Sequence, residues 1–135
     1  MDLLAWVLRV KILVTLILWT VPCLAFPASW FVWVGMPEPK PMLLLQLYGA
    51  ASLALVVGYI SGLCRLDRGD DIRNIVWVGV TSNGSASLIL FLSGIAGAWE
   101  DWGILARIYM WSSALLTASI TLGLVAGLVR GDRYT

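Results

Sequence analysis

The sequence predicts an all-α, integral membrane four-helix bundle. Three features predict it: apolar runs of spanning length, the charge between them, and the tryptophans at their ends. The runs cover residues 12–33, 42–64, 75–98 and 104–129. Each is near or above the ~20 residues that an α-helix needs to cross ~30 Å of hydrocarbon. Seven of the nine Lys/Arg fall in three places: Arg9 and Lys11 before the first run, Arg65, Arg68 and Arg73 between the second and third, and Arg130 and Arg133 after the last. Lys40 and Arg107 fall on the other side. This is the positive-inside pattern of a four-span protein with both termini in the cytoplasm. Of the eight tryptophans, Trp30, Trp33, Trp99 and Trp102 mark the outer ends of the runs, and Trp6 and Trp77 the inner ends. Amphipathic rings prefer that headgroup level. Trp19 and Trp111 lie deeper, where packing or lipid contact is expected of them.

Composition agrees. Hydrophobic residues make up 60% of the chain and charged residues 13%, against ~25% charged in soluble domains. A net charge of +1 supplies no field for nucleic-acid binding. Four spans and short loops use nearly all 135 residues, so one transmembrane domain, 1–135, is expected. Inside lipid each backbone polar group must find its partner within its own helix, which makes a helical bundle the economical arrangement.

Taken in order, the first run opens like a signal peptide, with Arg9 and Lys11 ahead of the apolar stretch 12–21. No small-x-small cleavage site follows, and Val21 precedes Cys23 by a proline where a lipoprotein box would need a small residue. A retained helix is therefore expected, with Arg9 and Lys11 snorkelling toward the inner surface and Pro22 and Pro27 kinking or ending it. Pro37, Pro39 and Pro41 alternate in the first outer loop, which predicts an extended, stiff connector. It either lies on the outer interface or plugs the bundle.

The second run carries Ala50, Ala54, Gly58 and Gly62 at every fourth position, and the last carries Ser119, Gly123 and Gly127. Such small-residue stripes let helices approach closely in lipid. Their partner is either another helix of this chain or a helix of another subunit. The third run holds Thr81-Ser82-Asn83-Gly84-Ser85-Ala86-Ser87, polar groups expected to face protein or water. The connecting loop sets three arginines against three aspartates, a composition suited to a self-paired turn or to docking. There is also a short internal repeat. Gln46-Leu47-Tyr48-Gly49-Ala50-Ala51-Ser52 aligns with Arg107-Ile108-Tyr109-Met110-Trp111-Ser112-Ser113. Both helices end in Gly-Leu-x-Arg and are followed by Arg-Gly-Asp, at 68–70 and 130–132. A two-plus-two helical hairpin repeat would produce this pattern.

The chemistry inventory is mostly negative. The chain has no histidine, which excludes histidine-ligated haem, zinc or copper, a serine triad and a two-histidine iron site within it. Cys23 and Cys64 fall near opposite membrane surfaces, roughly 30 Å apart, too far for a disulfide. No intrinsic cofactor or metal site is expected; lipid or quinone is the ligand class left open. All eight carboxylates lie in loops or tails, so the mid-depth acidic group of a proton-coupled transporter is lacking. The candidate polar cavity is Gln46, Asn83, Ser87 and Arg107, with Arg107 either paired locally to Glu100 or Asp101 or turned inward to hold an anionic headgroup.

The stretch Gly35-Met36-Pro37-Glu38-Pro39, followed by Gln46-Leu47-Tyr48-Gly49-Ala50 and Val57-Gly58-Tyr59, resembles the small bacterial four-helix membrane proteins grouped as DoxX-like, including the BphX-like families. Gln46 stands where those proteins commonly carry arginine. The resemblance implies a four-helix bundle and a bacterial inner membrane. For some relatives it also implies a role as a small subunit of a quinone-linked oxidoreductase.

Three functions are consistent with these features. The first is a non-catalytic accessory or scaffolding subunit packed against other membrane helices or a homo-oligomer, which would turn its small-residue stripes outward. The second is a small-ligand binding or transport protein, which would point Asn83, Ser87 and Arg107 into one cavity. The third is a quinone-linked enzyme subunit.

Overall fold

The computed structural model describes residues 3–131. Asp2, Asp132 and Arg133, and with Asp132 the end of the second Arg-Gly-Asp, lie outside the described residues. Four helices are long and apolar enough to cross a membrane: Leu3–Ala25, Met42–Leu66, Arg73–Ile95 and Ile104–Arg130. They are called here the first to fourth spans. No strand occurs among the described residues. The chain is a helical integral membrane protein.

The first span differs from its sequence expectation at both ends. It starts at Leu3 rather than at residue 12, because Arg9 and Lys11 are helical residues and not a flank. It stops at Ala25, since Pro27 forces Phe26 into an extended conformation (φ −87°, ψ 140°) and caps a separate short helix, Ala28–Trp33. Within the span the helix widens to π geometry over Thr15–Thr20, where the Val21 N–H reaches back to the Leu16 carbonyl. Pro22 explains the neighbouring irregularity. It has no N–H to give the Leu18 carbonyl four residues back, and that carbonyl accepts instead from the Tyr109 hydroxyl of the fourth span.

The third and fourth spans pack most closely on each other, and the second packs on the first; the first also packs on the fourth. The second and third meet far less. Their contact lies toward the arginine-rich loop, where Ile75 fills the space that a Cβ on Gly62 would occupy. There too the Tyr59 and Ser82 hydroxyls are hydrogen-bonded at 3.0 Å. The core belongs to the same half of the bundle: Val7, Leu8, Tyr59, Ile72, Val76, Ile120 and Leu124 form one buried cluster. Between the second and third spans, Arg65 donates to the Asp71 carbonyl (2.9 Å), and the Asp71 carboxylate accepts the Arg73 N–H (2.9 Å).

At the opposite end the two loops are pinned together. Gly35 has φ +92°, and a Cβ there would sit 2.6 Å from the Gly103 Cα. The Gly103 N–H donates to the Gly35 carbonyl at 2.8 Å. Only glycine satisfies both the positive φ and the backbone contact.

The small-residue stripes divide. Gly62 packs on Ile75, Gly123 on Val7 and Gly127 on Leu4, all within the chain. Ala50, Ala54, Gly58 and Ser119 face outward, with nothing within 4 Å of a Cβ placed on Gly58.

Candidate functional site

On the first span, Leu4, Val7, Leu8 and Lys11 recur at helical spacing and so share one face. Val7, Leu8 and Lys11 are buried, and Leu4 packs against the same core cluster. Arg9 lies on the exposed side. Lys11 therefore does not snorkel. It sits about 12 Å into the helix from Leu3 at 1.5 Å per residue, and it is only 2% exposed. Its stem lies beside Gly79, where a Cβ would be in ordinary contact with Lys11 Cε at 3.5 Å and the Tyr59 ring at 3.7 Å and too close to Leu124 Cδ1 at 2.8 Å. Its Nζ stands 4.2 Å from the centroid of the Tyr59 ring.

Lys11 faces a cavity of about 330 Å³ bounded by all four spans. Thr15 and Trp19 line it from the first span, Ser52 and Tyr59 from the second, Asn83 from the third and Thr117 from the fourth. The volume is at the lower end of the range of small-molecule sites. Tyr48 and Ile89, 46% and 63% exposed, also line it, so the cavity opens sideways between the second and third spans. Much of its polar lining is already engaged. Asn83 Nδ2 donates to the Gly79 carbonyl at 2.9 Å, and Ser82 Oγ to the same carbonyl at 3.2 Å. Thr117 Oγ1 donates back to the Ser113 carbonyl at 2.8 Å. Among the described residues Lys11 has no carboxylate or hydrogen-bond partner. Every described Asp and Glu is exposed in a loop.

The four residues expected to share a cavity do not. Asn83 lines it. Ser87 is buried, but its hydroxyl donates to the Ala114 carbonyl (3.4 Å) between the third and fourth spans. Gln46 and Arg107 are exposed, and Arg107 pairs with neither Glu100 nor Asp101. The polar run of the third span also divides, because Thr81 and Ser85 face outward. Ser85 Oγ returns its proton to the Thr81 carbonyl at 2.7 Å, a bond that satisfies a hydroxyl within its own helix. Lys11 is the residue that the sequence reading assigned elsewhere. Its signal was the helical spacing it shares with Leu4, Val7 and Leu8.

A second cavity, about 300 Å³, lies under the proline loop. Trp30, Phe31, Trp102, Pro37 and Pro39 line it, with Glu38 at its charged edge. Glu38 is paired to Lys40 at 2.8 Å. Trp19 and Met110 line both cavities and so stand between them. The Trp19 ring contacts those of Tyr48 and Tyr109 at 5.9 and 5.6 Å between centroids. Among the described residues no group of three or more His, Cys, Asp or Glu could hold a metal ion. No protein-family model, curated protein or solved structure matches the chain.

Proposed function

We propose that this small membrane protein binds an amphiphile through Lys11, in the cavity between its four spans. The observation that carries the reading is a buried lysine, without a carboxylate partner among the described residues, facing a cavity at membrane depth. A cationic side chain within the bilayer costs roughly 2.5–3.5 kcal/mol on insertion scales and marks a functional position by default. The Tyr59 ring returns about 2 kcal/mol of this in a desolvated setting. A ligand with an anionic or strongly accepting oxygen would supply the remainder and use the three N–H donors of the ammonium. The bilayer is its source, because the cavity mouth opens between the second and third spans. The arginine distribution supports an orientation with both termini in the cytoplasm, and the DoxX-like resemblance is what supports a bacterial inner membrane.

Native mass spectrometry of the tagged chain, extracted from its own membrane in mild detergent, tests this. A small-molecule adduct is expected on the wild-type chain and on Lys11→Arg, and not on Lys11→Met. An adduct that survives Lys11→Met unchanged overturns the reading.

The accessory-subunit function has its own supporting observation, the outward small-residue face of Ala50, Ala54 and Gly58. Stoichiometric co-purification with a larger membrane assembly, in the same experiment, would favour it. A quinone-linked role of the DoxX type rests on the sequence resemblance alone, and a quinone adduct would be its mark.

A further inference from the structure

The two cavities are adjacent and chemically opposite. The one between the spans has Lys11, Asn83 and Thr117 in its lining, with the Lys11 Nζ over the Tyr59 ring. The one under the proline loop is walled by indole rings, Phe31 and prolines, and its single charged residue, Glu38, is already paired with Lys40. Trp19 and Met110 line both, with the Tyr48 and Tyr109 rings packed against Trp19. Trp19 is carried on the π-helical turn, a helix irregularity frequently found at functional sites. Met110 is an unbranched, adaptable side chain.

We propose that the two cavities form one composite site for a single-chain lipophilic acid, with its carboxylate on Lys11 and its hydrocarbon chain threaded past Trp19 and Met110 into the pocket under the proline loop. This rests on the binding reading above and names its ligand class. The ligand is an acid because the described spans contain a buried cation and no carboxylate to neutralise it; a bound monoanion is the missing half of a pair. It has one chain because the outer pocket is about 300 Å³ and is roofed by the proline loop. The orientation is the reverse of a lipid in the adjoining leaflet: the head lies deep and the chain points to the surface. That inversion requires a protein-lined path for the head, which the sideways mouth between Tyr48 and Ile89 supplies.

The test uses the full chain in phosphatidylcholine nanodiscs and a hexadecanoic acid bearing a photoreactive diazirine at its chain end, with labelled residues mapped by peptide mass spectrometry. Labelling is expected on Trp30, Met36 or Trp102. Excess hexadecanoic acid should compete it, and hexadecanol should not. Lys11→Met should lower it about tenfold or more, the worth of a charge-assisted bond, while Lys11→Arg retains it. Lysine-dependent labelling confined to the lipid-facing Leu88 and Leu92 would overturn the composite site and leave the Lys11 site standing. Labelling that neither hexadecanoic acid nor Lys11→Met reduces would overturn both.

Discussion

The half of the bundle beside the arginine loop and the half beneath the proline loop use the same four helices in different ways. In the first, large apolar side chains close on one another, and glycines bring the helices together: Gly62 against Ile75, Gly123 against Val7, Gly127 against Leu4. In the second, the second and third spans diverge and the first widens into a π turn. Aromatic rings there meet edge to face around two cavities instead of filling them. Lys11 and Tyr59 sit at the boundary, with the packed core below and the open cavity above. On the proposed reading, stability and binding are thus separated along the membrane normal. A substitution in the closed half should reach function only through folding, and one in the open half should reach it directly.

The largest effect should come from the closed half. Leu124 is fully buried and its Cδ1 would lie 2.8 Å from a Cβ on Gly79. Leu124→Ala should lower unfolding free energy by about 2–5 kcal/mol, read by thermal unfolding in detergent. A value near zero would mean that the core does not hold the bundle. At the other end, Gly35→Ala combines a left-handed φ with a backbone clash at Gly103, and should cost roughly 1–3 kcal/mol. It should also separate the loops that roof the outer pocket. Hydrogen exchange should then rise over 34–41 and 97–103 while the core stays protected.

Smaller effects sharpen the contrast. Tyr109→Phe leaves the Leu18 carbonyl without its donor and should cost about 0.5–1.5 kcal/mol, with its main consequence near Trp19. Loss of the long-chain acid with little change in melting temperature is the expected result. Ala54→Leu, on an exposed face, should change stability by less than about 0.5 kcal/mol. If instead it releases a co-purifying partner, that face is an interface.

The fold was legible because membrane constraints act on long stretches of sequence. Span-length apolar runs and loop arginines are summed over many residues, so no single position decides them. The stripes were legible as packing surfaces, but not in their direction; only the structure turns Gly62 inward and Ala50, Ala54 and Gly58 outward. The site was harder, for a local reason. Lys11 precedes an apolar run, so hydropathy alone made it a flank, whereas the helix begins at Leu3 and the helical period places it with Leu4, Val7 and Leu8. Gln46 and Arg107 drew attention as intramembrane polar groups near the outer helix ends, where a side chain reaches the surface at little cost, and both are exposed. Asn83 was legible because an amide at mid-helix needs a buried partner, and it found the Gly79 carbonyl.

The most direct test of the central claim is thermal unfolding of delipidated wild-type chain and Lys11→Met, each with and without hexadecanoic acid. Without ligand, Lys11→Met should be the more stable protein, since it replaces an unpaired buried cation by an apolar side chain of similar length. Hexadecanoic acid should then raise the wild-type melting temperature and leave that of Lys11→Met unchanged. If Lys11→Met is the less stable protein and neither responds to the acid, Lys11 is a structural residue and the cavity is not its binding site.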